Sequence, residues 1–170
     1  AGFSPKILDP MLYGIVLQKE SAHHELIGLR KLIDNGILEQ LFYQTLSQDT
    51  WDNLYAIQDD LEAYLLTGEN NVQIIAKKDI AFHRGLAAGT NNIAVLTVYN
   101  SIVRITEDFL YRTIETILRH DAMAYFSESH RGILQKLAGP SLNDLHERVE
   151  WSYVFWNTAF QEEEEDQEKA

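Results

Sequence analysis

The sequence predicts an all-α fold, an antiparallel helical bundle, and three observations carry that expectation. Apolar residues recur at three- and four-residue steps over long stretches, which is the helical period and not the alternation of a strand. Proline is confined to Pro5, Pro10 and Pro140, so little interrupts a helix between them. Capping and breaking residues divide the chain into segments of helical length.

A first helix is expected from Asp9-Pro10, where Asp caps and Pro occupies the first turn, to about Lys19. A second, over roughly 21 to 46, carries Leu26, Leu29, Ile33, Ile37 and Leu41 on one stripe. Ser47-Gln48-Asp49 supplies a break and a new cap, and the third helix runs to about Thr67-Gly68. The fourth covers about 71 to 88 and ends at Gly89; the fifth, from Asn91 or Asn92 to about His120, is long enough to be a central strut. Gly139-Pro140-Ser141 separates the last two helices. Residues 1–161 form the expected helical domain, and the acidic run 162–170 reads as a solvated tail without a core of its own.

Composition narrows the function classes. The 170 residues, 45% of them hydrophobic, suit one domain with a continuous core. A formal net charge of -12 repels a phosphate backbone, so direct nucleic-acid binding by this segment is not expected. Without cysteine there is neither a disulfide framework nor a thiolate zinc site, and any metal must be held by His, Asp or Glu. No apolar run approaches the roughly 20 residues of a membrane span, and the start lacks a secretion signal, so a cytoplasmic location is expected. The chain begins without Met, which suggests that a neighbouring domain precedes it.

The informative positions are ionisable residues on inward stripes, because burying an unpaired charge costs several kcal/mol. The stripe Val72, Ile75, Leu86 passes through Asp79 and His83, four residues apart and therefore on one helix face. That geometry suits two ligands on one cation. The stripe Phe126, Ile133, Leu137 passes through His130, and Leu26, Ile33, Ile37 passes through Arg30. Imidazole and carboxylate suit a divalent ion such as zinc, nickel or manganese, and Arg offers a planar fork for a carboxylate. Each has a plainer reading: Asp-x-x-x-His arises by chance, an inward His is commonly a hydrogen-bonded core residue, and Arg30 can pair with a neighbouring helix's carboxylate. His23, His24, His120 and His146 read as surface or boundary positions.

Three segments, in order, carry a resemblance: His24-Glu25-Leu26-Ile27-Gly28-Leu29-Arg30, Asp79-Ile80-Ala81-Phe82-His83-Arg84-Gly85-Leu86-Ala87-Ala88-Gly89, and Glu128-Ser129-His130-Arg131-Gly132-Ile133-Leu134. Over roughly residues 10 to 160 the chain resembles the C-terminal effector-binding (FCD) domain of FadR-subfamily GntR transcriptional regulators. The resemblance implies a bundle of six to seven helices around a central ligand cavity, and a homodimer. It also implies a divalent metal held by one Asp and three His, with a small organic acid or sugar acid bound at the metal with help from an early Arg. Asp79, His83 and His130 fall on metal positions and Arg30 on the effector position.

Two departures qualify the match. The third metal-binding His of the family lies about 22 residues beyond the position of His130, which is Ser152 here, on the expected stripe Leu145, Val149, Trp156. His146, six residues earlier, lies about 240° away around an ideal helix and does not replace it. Either three protein ligands leave a position open, or the cavity holds its ligand through Arg30, Ser152 and hydrogen bonds alone. Second, no basic recognition helix is present, so operator DNA is reached only through a winged helix-turn-helix of the parent regulator. A metal-dependent hydrolase, using Asp and two His to activate water, and a purely structural helical interaction module are the competing readings. For the hydrolase, no general base stands at a diagnostic spacing, and there is no pair of Glu-x-x-His motifs of the kind used by di-iron bundles.

Overall fold

The structure, a computed structural model, describes residues 22–159. Six helices follow in order: α1 (Ala22–Phe42), α2 (Gln48–Leu66), α3 (Val72–Gly89), α4 (Ile93–Arg119), α5 (Met123–Leu137) and α6 (Leu142–Ser152). Residues 154–159 are again helical after a turn at Tyr153, and no strand occurs among the described residues. The expected all-α bundle is therefore what the chain forms. The helix expected near Asp9–Lys19 and the acidic run 162–170 lie outside the described residues.

Helix starts follow the side chains that cap them. Ser47, Asn71, Asn92 and Ser141 each accept a backbone N–H of the first turn through a side-chain oxygen, satisfying donors that a helix N-terminus leaves without partners. Helix ends were harder to read. The second expected helix stops at Phe42, four residues early, where Gln44 N–H turns back onto the Leu41 carbonyl and the chain straightens towards the Ser47 cap. Helix α3 does end at Gly89, as expected, but that residue is helical and the left-handed conformation falls to Asn91, at φ 53°. Asn is among the few non-glycine residues that adopt it readily. Gly89 serves packing, since a Cβ there would come within 3.3 Å of Thr50 and 3.4 Å of Leu41.

The core runs through all six helices. Leu41, Leu54, Leu61, Ile75, Phe82, Tyr99, Ile114, Leu134 and Leu145 are fully buried in one cluster. Helix α3 packs between α2 and α4, α5 lies along α6, and α1 crosses α4, α6 and α3. At 27 residues α4 extends about 40 Å and is the strut expected of it. This arrangement turns the inward faces of α1, α3, α5 and α6 towards one point. No helix among the described residues is long and apolar enough to cross a membrane.

Candidate functional site

The five residues singled out in the sequence, Arg30, Asp79, His83, His130 and Ser152, line one enclosed cavity, together with Tyr153 and Trp156. Arg30 is 1% exposed, Asp79 4% and His130 2%, so these are charges and imidazoles inside the core. Isolated there, a charge would cost several kcal/mol, so the network around it decides whether the site is stable.

Asp79 sits at its centre. Its Oδ1 lies 3.1 Å from His130 Nε2 and 3.8 Å from His83 Nε2, and its Oδ2 accepts from Arg30 Nη2 at 3.4 Å. Burial works against an ionised Asp79, but His83, the His130 hydrogen bond and Arg30 outweigh it and hold the carboxyl well below the usual carboxylate range. Burial also lowers the pKa of His83, which keeps it neutral and able to offer a lone pair near pH 7.

His130 is clamped on both sides. Its ring stacks on Phe82, with centroids 4.1 Å apart and planes 12° from parallel. Its Nδ1 lies 3.2 Å from Gln58 Oε1, and the Gln58 amide is oriented by its own donations to Glu62 at 2.9 Å and the Ser127 carbonyl at 3.2 Å. Both ring nitrogens of His130 therefore face acceptor oxygens. A neutral imidazole has one proton and satisfies one of them; the other contact calls for a second proton or another cation between His130 Nε2 and Asp79.

The donor set fits a metal ion. One ligand atom from each of Asp79, His83 and His130 falls within 4.8 Å of the others. Tetrahedral coordination at ordinary zinc–nitrogen and zinc–oxygen lengths spaces ligand atoms by about 3.4 Å, and the distances of 3.1 and 3.8 Å from Asp79 Oδ1 bracket that value. Small side-chain shifts would close such a site.

Arg30 is held but not saturated. It donates to Thr106 Oγ1 and Asp79 Oδ2, each at 3.4 Å, packs its guanidinium 4.5 Å from the Trp156 ring centroid, and leaves Nε without a hydrogen-bond partner. Burial opposes the cation, yet Tyr99, Tyr153, Asp34 and Asp79 together hold its pKa above the ordinary value. A buried fork with two long hydrogen bonds retains donor capacity for a carboxylate.

Asp34, Gln58, Thr106 and Tyr153 were not singled out in the sequence. Asp34 stands four residues after Arg30, the same step as Asp79 to His83, and Gln58 lies on the stripe Leu54, Gln58, Leu61; both patterns were visible. Tyr153 had no such signal. It is brought inward by the break after α6 and donates its hydroxyl to Asp34 Oδ2 at 2.5 Å. Ser152, half-buried at the cavity wall, donates its own hydroxyl to the Val149 carbonyl at 2.7 Å. The stripe Leu145, Val149, Ser152, Trp156 is thus split between α6 and the next helical segment.

A helical bundle enclosing a buried, charged cavity is the class of protein that the fold and site define. The FCD domain model matches residues 25–159, and the chain belongs to the FCD domain family. FCD domains occur in GntR-family regulators as effector-binding domains and are regulatory rather than enzymatic. No curated protein and no solved structure matches the chain.

Proposed function

We propose that this domain senses a small carboxylate, an organic acid or sugar acid, bound by Arg30 beside a divalent ion held by Asp79, His83 and His130. Zinc, nickel and manganese all suit the donors. The observation that carries the reading is the pairing of two incomplete groups in one cavity. His130 faces two acceptors and calls for a cation, while Arg30 has an unused donor and calls for an anion. A carboxylate bound to the ion would meet both needs. With three protein ligands, and Ser152 at the place of a fourth, a coordination position stays open for it.

The cavity has a volume of about 20 Å³, room for a water molecule or an ion but not for an acid of several carbons. An acid must therefore displace part of the wall, and the wall formed by Ser152, Tyr153 and Trp156 belongs to the segment where α6 breaks. A ligand that favours the displaced arrangement shifts the population towards it by its differential affinity, typically 1–3 kcal/mol. In the full regulator, proposed to be cytoplasmic, homodimeric and FadR-like, that shift would change the placement of N-terminal DNA-binding domains on the operator. Exposed Leu32 on α1 and Ile93 and Val98 on α4, beside a groove lined by Ile33, Ile37 and Val95, support a homodimer contact there.

Metal analysis of freshly purified protein, followed by thermal shift with organic and sugar acids in the presence and absence of Zn²⁺, Ni²⁺ and Mn²⁺, tests this. An acid at a hundred times its Kd stabilises by about 2.7 kcal/mol, which raises Tm by roughly 5–10 °C. The shift should vanish in Arg30→Ala and in His83→Ala. A domain indifferent to every acid and ion would overturn the reading.

A further inference from the structure

A second buried carboxylate, Asp34, stands on the far side of His83 from the Asp79 cluster. Asp34 is 5% exposed, as deeply buried as Asp79, yet it is outside the group whose ligand atoms converge. Its Oδ1 lies 3.8 Å from His83 Nδ1, and Asp79 Oδ1 lies 3.8 Å from His83 Nε2. The imidazole is thus suspended between two carboxylates, one facing each nitrogen.

The two carboxylates are not equivalent competitors for the single proton of a neutral ring. Asp79 Oδ1 already serves His130 at 3.1 Å, and Asp79 Oδ2 serves Arg30. The Oδ2 of Asp34 is bound by the Tyr153 hydroxyl at 2.5 Å and lies 3.9 Å from Arg30 Nε, which leaves Oδ1 turned towards the histidine. Tyr153 and Arg30 together fix the orientation of that carboxylate and offset its charge. A proton on Nδ1 would point towards Asp34 Oδ1, which at 3.8 Å comes within hydrogen-bond reach by a small side-chain shift, and the lone pair would then project from Nε2 into the Asp79–His130 cluster.

We propose that Asp34 is a positioning residue, which selects the Nδ1–H tautomer of His83 and so presents Nε2 as the ligand atom. The proposal rests on the reading of Asp79, His83 and His130 as a metal site, but its first consequence is visible without metal. Ligating histidines commonly hand their other N–H to a carboxylate, and loss of such a partner weakens metal affinity by about 10–100-fold. Tyr153 acts one step further out, by holding Asp34.

The test uses long-range ¹H–¹⁵N spectra of the 170-residue chain at pH 8, without metal, and then Zn²⁺ titration by calorimetry. Wild type should show His83 protonated at Nδ1. Asp34→Asn, isosteric and uncharged, should lose that preference and bind Zn²⁺ about 10–100-fold more weakly. Tyr153→Phe, which keeps the carboxylate, should retain the tautomer. Should Asp34→Asn be too unstable to record, a wild-type spectrum with the proton on Nε2 would alone overturn the proposal. An Asp34→Asn protein with unchanged tautomer and unchanged Zn²⁺ affinity would do the same. Failure of wild type to bind any ion would sink the metal reading instead, while the metal-free spectra would still decide the role of Asp34.

Discussion

His130 Nε2 lies 3.1 Å from Asp79 Oδ1, while the opposite nitrogen of the same ring lies 3.2 Å from Gln58 Oε1. This relationship makes the buried site a demand for positive charge, because two acceptors bracket one imidazole. Gln58 cannot relieve it by rotating its amide without giving up its donations to Glu62 and to the Ser127 carbonyl.

Gln58→Leu removes the acceptor on Nδ1 and leaves the Ser127 carbonyl one donor short. It should destabilise the domain by about 1–3 kcal/mol in urea unfolding. Zn²⁺ affinity, measured separately by calorimetry, should fall about 10–100-fold, as when a ligating histidine loses the group that orients it.

Arg30 is the fully buried cation between Asp34 and Asp79, at 3.9 and 3.4 Å. Arg30→Met would leave both carboxylates without that charge, and the metal-free domain should lose about 3–5 kcal/mol. Added Zn²⁺ should recover part of the loss, since it returns positive charge to Asp79. Denaturation curves with and without Zn²⁺ compare the two. Recovery no larger than that of wild type would argue against an ion at Asp79.

Glu62 gives a pH dependence. A bidentate contact with Arg131, backed by Gln58 and Ser127, lowers its pKa from 4.5 to about 2 against the opposing effect of burial. A carboxyl with a depressed folded-state pKa contributes stability that is fully present above its unfolded value. That contribution is therefore complete above about pH 4.5 and is lost as the pH falls towards 2. For a partly exposed pair it should amount to about 1 kcal/mol. Glu62→Gln should flatten the acid limb of stability between those values, with little change in its slope near pH 7.

Gly132 clears space for Arg148. A Cβ at this position would collide with the guanidinium, which stacks 3.8 Å from the Trp151 ring centroid and donates to the Glu128 carbonyl. Gly132→Ala should displace the flexible guanidinium from the Trp151 ring and the Glu128 carbonyl, a loss that outweighs the better helix propensity of Ala and leaves a net destabilisation of up to about 1 kcal/mol. In an Arg148→Ala background the same change should stabilise by up to about 1 kcal/mol, as expected for Gly→Ala inside a helix. A double-mutant cycle with no change of sign would refute this packing account.

Much of the fold was legible because helices are written in short-range periodicity and in caps adjacent to them. Ser47, Asn71, Asn92 and Ser141 mark four helix starts from one or two residues of context. Ends were less legible: the second expected helix stops four residues early at Phe42, and at the end of α3 the left-handed residue is Asn91, while Gly89 answers to packing against Leu41 and Thr50. Within the site, the interruption of apolar stripes by ionisable residues marks Arg30, Asp79, His83 and His130, because burial makes such residues anomalous. Asp34 and Gln58 obeyed the same rule and could have been found by it.

By itself, then, the sequence determined the helical class, most helix starts and which polar side chains must enter the core. Those features depend on residues within one or two turns of each other. Tertiary structure alone decided which nitrogen of His83 and of His130 faces which oxygen, and that Tyr153 rather than Ser152 closes onto Asp34. The reason is physical: apart from the Asp79–His83 pair, four residues apart on α3, those contacts join α1, α2, α3, α5 and the end of α6 across 49 to 119 residues of chain. Ångström-scale relations between helices come from their packing and from the break at Tyr153, and neither has a local periodicity to record it.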